Sequence, residues 1–190
     1  MQGLRRAPDD DARQQAVTRL DAGLDRATRL VEQLLVLARQ EASAAAVSPM
    51  VAVDCDALVR QALADAAPGA QARGIDLGLA PACAPNGTGG WAAGLPEALR
   101  ILLRNLLDNA VKYTPAGGRI DAGWRAVPGG VELWVEDSGP GIPAAERARV
   151  LGRFYRGPAS AQGTQGSGLG LAIVQAIARR HGTALTLEDA

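Results

Sequence analysis

The sequence predicts an α/β chain preceded by a long bundle-forming helix, on three observations. Residues 10–45 carry apolar side chains on a seven-residue repeat. Beyond them, segments of helical apolar spacing and of strict alternation follow one another. Finally, 47% of the 190 residues are hydrophobic, enough for one domain core and a further element.

Between Asp10 and Ala45, Val17, Leu24, Val31 and Ala38 form one apolar row. Leu20, Ala27 and Leu34 form the other, widened by Leu30 and Leu37. Asp21, Asp25, Arg26, Arg29 and Glu32 fill the remaining face. A sustained 3.5-residue period specifies a helix packed in a coiled coil or four-helix bundle. Pro8 with Asp9–Asp11 supplies a turn and acids suited to a helix N-terminus. A lone helix cannot bury such a stripe, so the front of the chain is expected to belong to a larger bundle.

Ser43–Met50 is rich in small residues and reads as a linker. Asp54 is placed to cap a helix from Cys55 towards Ala66. Ile75–Leu79 is expected as a strand and Pro81–Gly94 as a loop. From Pro96 to Tyr113, Leu99, Leu102, Leu103, Leu106, Leu107, Ala110 and Val111 recur at helical spacing, and Thr114-Pro115 ends that helix. Arg119–Val127 and Val131–Glu136 flank Pro128-Gly129-Gly130 and predict a hairpin. Gly157–Gly168 has too little apolar surface to order itself and is expected to be mobile. Leu169–Arg180 returns to helix, with Gly182 as its stop. Thr183–Leu187 is expected as one more strand.

Composition removes several function classes. Lys+Arg and Asp+Glu each total 20, a balance that argues against nucleic-acid or polybasic membrane binding. Lys112 is the only lysine and follows Val111, so no Walker-type Gly-Lys phosphate loop exists. Cys55, Cys83 and the single histidine, His181, are too few for a four-ligand zinc site of Cys and His or for a disulfide scaffold. A reducing, cytoplasmic setting is therefore expected. No apolar run is long enough to cross a bilayer.

Four segments carry the polar chemistry. In Arg104–Tyr113, Asn105 and Asn109 lie four residues apart on one helix face, with Lys112 near the same side. Two amides and an ammonium suit a hard cation and its phosphates, and equally suit a solvated helix face. Glu136-Asp137-Ser138-Gly139-Pro140-Gly141-Ile142 follows the alternating strand. It can set a carboxylate in a pocket that glycines leave open to a flat ligand, or form an ordinary turn. Arg153-Phe154-Tyr155-Arg156 contains the only phenylalanine. Gly166-Ser167-Gly168-Leu169-Gly170 runs into a helix, where free amide N–H groups can face phosphate. A dinucleotide-binding turn would need a strand before its first glycine, and Ala159–Gln165 are loop-like.

In this order, the segments resemble the catalytic ATP-binding domain of bacterial two-component sensor histidine kinases. That domain shares a superfamily with DNA gyrase, the large heat-shock chaperone and the mismatch-repair ATPase. The resemblance covers roughly Val51 to Leu187. Asp25–Leu35 in turn resembles the second helix of the family's dimerisation and histidine-phosphotransfer hairpin. The resemblance implies residues 1–45 as a remnant of that hairpin and residues 46–190 as the catalytic domain. It implies a two-layer α/β sandwich of Bergerat type with a mixed sheet, short of its last strand.

The resemblance also implies ATP and Mg2+ as cofactors. Asn109 then matches the magnesium ligand, with Asn105 alongside it, and Lys112 and Tyr113 match phosphate- and nucleotide-contacting positions. Asp137 would accept from the adenine amino group, with Gly139, Gly141 and Ile142 shaping the base pocket. Phe154 would anchor the lid and Arg156 would swing towards the terminal phosphate. Gly166, Gly168, Leu169 and Gly170 would wrap the phosphates. Implied partners are an acceptor histidine on a helical hairpin, a response-regulator receiver domain and a second protomer, in a parent protein anchored in the inner membrane.

Hydrolytic members of the superfamily carry a glutamate where this chain has Asn105, which cannot activate water, so a kinase is the implied chemistry. A nucleotide-binding or phosphatase-type regulatory module without its own kinase activity is the alternative. The family's acceptor motif, His-Glu/Asp-x-x-x-Pro, is not in the sequence. His181 reads instead as a cap on the last helix.

Overall fold

The computed structural model describes residues 7–42, 49–80, 90–155 and 166–189. Helix α1 spans Ala7–Ala42. It begins ahead of the expected turn because proline in a first helical turn forfeits no hydrogen bond. Its stripe is bare for most of its length, with Leu20 67% and Leu24 66% exposed, whereas Leu37 is only 2% exposed. Only the C-terminal part of the stripe therefore packs within this chain.

Strand β1 (Val51–Asp54) leads directly into α2 (Cys55–Ala72), and the Asp54 carboxylate accepts the Ala57 N–H at 3.1 Å, the expected cap. Helix α2 continues six residues past the expected end and through Pro68. The alanines at 62, 64, 66, 67, 70 and 72 favour helix strongly enough to carry it. It stops at Arg73-Gly74, where Gly74 takes φ +63°.

Strand β2 (Asp76–Leu79) runs parallel to β4 (Arg119–Val127), which pairs antiparallel with β5 (Gly130–Asp137). This is the expected mixed sheet, with the expected hairpin. A second ladder joins β1 to β3 (Trp91–Gly94) in antiparallel register, Val51 opposite Gly94. Strand β3 takes the last four residues of the expected loop over Pro81–Gly94, and residues 81–89 lie outside the described residues. Its four residues, Trp-Ala-Ala-Gly, carry no alternation, and pairing with β1 makes them a strand.

Helix α3 (Pro96–Tyr113) has the predicted bounds. Its Leu99, Leu103, Leu107 and Ala110 face a core shared with Val59, Leu63, Ile120, Ala122 and Trp124. On its other flank, Ala98 packs with Leu169, Ile173 and Ile177 of the α5 region and with Leu37 of α1. So α2 and α3 cover the sheet, and α5 (Gly170–Arg180) joins the helical layer through α3. A short α4 (Ala144–Val150) follows β5.

Residues 183–189 form no ladder among the described residues, which corrects the expected strand over Thr183–Leu187. Their backbone groups are used otherwise. The Thr183 N–H donates to Ala178 O at 3.0 Å, closing α5, and Leu187 O accepts from Arg147 at 3.2 Å.

His181 caps α5 as expected. Its Nδ1 lies 2.8 Å from Ile177 O, and its Nε2 accepts the Leu95 N–H at 3.0 Å. These partners place the proton on Nδ1, because a carbonyl can only accept and an amide can only donate. His181→Leu would leave the Leu95 N–H without its acceptor, while Ile177 O keeps the backbone N–H of residue 181, and is expected to destabilise the fold by about 1–2 kcal/mol. Urea unfolding checks this. An unchanged midpoint would show that the bridge contributes nothing.

Candidate functional site

The four polar segments, far apart in sequence, converge at the C-terminal end of α3 and the N-terminal end of α5. On α3, Asn105 and Asn109 share a half-buried face, as their spacing predicts. Both amides border the first residue of α5. A Cβ at Gly170 would lie 3.3 Å from Asn109 Nδ2, 3.4 Å from Asn105 Oδ1 and 3.5 Å from Asn109 Oδ1. The Asn105 Nδ2 donates to Ile101 O at 2.8 Å, which fixes that amide with its oxygen towards α5. The first-turn amides of a helix lack carbonyl partners within it, and no side chain caps α5. Neutral oxygen donors thus stand beside a patch of positive potential, a combination able to hold a cation together with an anion.

One turn further along α3, the Lys112 ammonium donates to the Tyr113 hydroxyl at 3.0 Å and lies 4.6 Å from the centre of that ring. It presses on Gly166, where any Cβ would collide with Nζ. The only lysine of the chain is therefore held at the mouth of the glycine turn.

Asp137 ends β5, half-buried, with its Oδ1 accepting the Gly139 N–H at 2.9 Å. A Cβ at Gly139 would meet Tyr113 O at 3.3 Å, so the turn after β5 rests against the end of α3. Gly141 takes φ +67°, and Ile142, half-buried, accepts from Arg147 through its carbonyl at 3.1 Å. Ser138, which the sequence reading assigns no part, locks this turn to the sheet by accepting the Arg119 N–H at 2.8 Å.

Phe154 stands at φ +60°, exposed, and its N–H donates to Gly168 O at 2.9 Å. Gly168, at φ +71°, leaves no room for a side chain, since a Cβ would sit 2.7 Å from Phe154 C and 2.8 Å from Tyr155 O. The third and fourth segments are therefore joined through their backbones. Tyr155 holds the base of this junction, its hydroxyl donating to Glu146 at 2.6 Å, a bond that pushes the phenol above its ordinary range. Arg156 and most of the expected mobile stretch, residues 156–165, lie outside the described residues.

Leu169 stands in the glycine turn and has a packing part besides. Its side chain is fully buried in the core against α3 and α1, and its N–H is taken by Ser167 Oγ at 3.1 Å. An apolar side chain beside glycine turns belongs to the packing that seats α5. Ser167 also donates to Gln33 Oε1 of α1 at 2.5 Å, a contact across 134 residues that no local pattern announces.

A carboxylate at a strand end, paired amides on a helix and a glycine turn opening a second helix define the ATPase class of two-layer α/β sandwiches. Residues 94–190 match the family described as histidine kinase-, DNA gyrase B-, and HSP90-like ATPase, and the chain belongs to that family. The sensor protein QseC of Escherichia coli O157:H7 is 42% identical over 176 residues, which cover 92% of this chain and 37% of QseC. The chain thus spans little more than a third of that relative. Among solved structures, full-length ShkA in complex with AMPPNP matches 89% of this chain and 34% of its own, with TM-score 0.72 and 34% identity. The cytoplasmic segment of histidine kinase QseC matches 87% of this chain and 85% of its own, with TM-score 0.55 and 30% identity.

Proposed function

We propose that this chain is the ATP-binding catalytic portion of a sensor histidine kinase. It moves the γ-phosphate of ATP to a histidine on a helical hairpin of the same or a partner protomer. The observation that carries the reading is a run of contacts. Asp137 meets Gly139, Gly139 meets Tyr113, Lys112 meets Gly166, and both asparagines meet Gly170. Such a run suits a ligand with a base at one end and phosphates at the other. AMPPNP, the nucleotide bound in the ShkA structure, has that shape.

In this reading Asp137 accepts from the adenine amino group, while Gly139, Gly141 and Ile142 bound the base. Lys112 contacts the phosphates and Tyr113 the nucleotide, and Gly166, Gly168 and Gly170 offer the phosphates backbone N–H groups. Phe154 anchors the lid and Arg156 approaches the terminal phosphate. Asn109, with Asn105 beside it, would hold Mg2+, and the oxygens gathered at Gly170 fit a hard cation. When bound, the ion neutralises charge on the phosphates.

Transfer requires an imidazole nitrogen to attack the γ-phosphorus while the bond to the bridging oxygen breaks and ADP departs with its electron pair. The protein's share is positioning and charge stabilisation. Asn105 also accounts for the choice of acceptor, because an amide tied to Ile101 O cannot take a proton from water. The phosphohistidine would then pass its phosphoryl group to a response-regulator receiver domain. The bare stripe of α1 supplies a surface for the homodimeric bundle, and the intact protein would be anchored in the inner membrane with this portion in the cytoplasm.

Calorimetry tests the first step. The chain is expected to bind one ATP in the presence of Mg2+, more weakly when the ion is chelated, and Asn109→Ala should shrink that difference. Absence of nucleotide binding would overturn the reading.

A further inference from the structure

The polar clamp at the end of α3 comes from outside that helix. The last carbonyls of any α-helix lack intrahelical donors and carry partial negative charge. On α3 they are met by Arg73, 38–41 residues earlier in the chain. Its guanidinium donates through Nη1 to Val111 O and, at 2.7 Å, to Lys112 O, and through Nη2 to Thr114 O at 3.1 Å. A planar fork holds several donors in one fixed geometry across three carbonyls, whereas the three donors of an ammonium rotate about a single nitrogen on a flexible stem.

Arg73 is itself firmly placed. Its N–H caps α2 by donating to Ala70 O. The adjoining Gly74 O accepts the Gly117 N–H at 3.1 Å, and the Asp76 N–H donates to Gly118 O at 2.9 Å. The turn from α2 to β2 and the turn from α3 to β4 are thus sewn together around this one side chain.

The clamped backbone is the one that presents Lys112 and Tyr113. Lys112 O itself accepts from the guanidinium, so the backbone of the residue that presents the ammonium is held directly. Thr114, next in sequence after Tyr113, is fully buried, and its Oγ1 has no hydrogen-bond partner among the described residues. We propose that Arg73 is a positioning residue for the phosphate-facing end of the site. By fixing the last turn of α3, it sets where the Lys112 ammonium and the Tyr113 hydroxyl stand relative to Gly166. This inference rests on the ATP-binding reading above.

The test is a double-mutant cycle of Arg73→Met and Lys112→Met in the full chain, with ATP and adenosine affinities measured by calorimetry and folding by thermal melts. Arg73→Met is expected to weaken ATP about tenfold, because displacing a positioned group acts through the group it holds. Adenosine, which does not reach Lys112, should change by no more than about twofold. In the Lys112→Met background, Arg73→Met should cost ATP no further affinity beyond about twofold. Arg73→Lys, whose three donors share one nitrogen on a flexible stem, should recover only part of the loss. A full tenfold effect in both backgrounds, or equal losses for ATP and adenosine, would overturn the inference and leave Arg73 a merely structural cap. If Arg73→Met does not fold, Arg73→Lys alone decides, since wild-type ATP affinity in that variant also overturns it. A wild-type chain that binds no ATP would refute the functional reading and this inference with it.

Discussion

Asp137→Asn is expected to lower ATP affinity by about 1.5–3 kcal/mol, or roughly 10- to 150-fold, with the fold intact. The two halves of that statement come from the two oxygens of one carboxylate. Oδ1 is spent on the Gly139 N–H at 2.9 Å, and an asparagine oxygen can accept that bond equally well. The turn after β5 should therefore keep its shape, and Gly139, which has no room for a Cβ against Asp137 and Tyr113, should stay where it is. The second oxygen becomes an NH2 group, a donor facing the donor amino group of adenine. Two donors opposed in a half-buried site leave a ligand hydrogen bond unmade and desolvated. GTP, which presents a carbonyl at that ring position, should lose less affinity or gain some. Calorimetry with both nucleotides checks the assignment. Unchanged ATP affinity would remove Asp137 from the base pocket.

How much of this was legible in the sequence depends on the range of the force that makes each part. Helix α3 and the β4–β5 hairpin were legible to within a residue or so, because apolar spacing, Pro96, Thr114-Pro115 and Pro128-Gly129-Gly130 are local signals. The Asp54 cap was legible for the same reason. Strands β1 and β3 were not, since four residues each, two of them alanine in β3, become strands only by finding one another. The expected strand over Thr183–Leu187 shows the converse. Its residues have strand-like character, but a strand is a pairing and this segment has none among the described residues.

The site divides along the same line. The face shared by Asn105 and Asn109 follows from helical periodicity alone. The seat of Lys112 on Gly166, the backbone bond from Phe154 to Gly168 and the three-carbonyl clamp of Arg73 join residues distant in sequence. Leu169 sits among glycines, yet its own apolar side chain seats α5 on α3. Motif glycines mark where backbones touch, and the apolar residue between them marks where the turn is anchored.

Incubated with ATP and Mg2+, this chain is expected to acquire no acid-labile phosphate. His181 is its only histidine, and the structure uses both ring nitrogens, Nδ1 towards Ile177 O and Nε2 from the Leu95 N–H. A nucleophilic nitrogen needs a free lone pair, and the one His181 owns, on Nε2, is already committed to a backbone donor. Distance compounds the difficulty. In the proposed site the phosphates lie at the Gly170 end of α5, while His181 follows its other end. Eleven helical residues separate them, a rise of about 16 Å against the ~3–3.5 Å needed for attack. A separate helical hairpin bearing an acceptor histidine, added in trans, should become labelled instead, provided it seats beside α5 where Leu37 of α1 already packs. Radiolabelled ATP, followed by acid and alkali treatment, reads both outcomes. Should the isolated chain label itself and His181→Gln abolish the label, the imidazole must leave its two partners, and the capping role of His181 would be wrong.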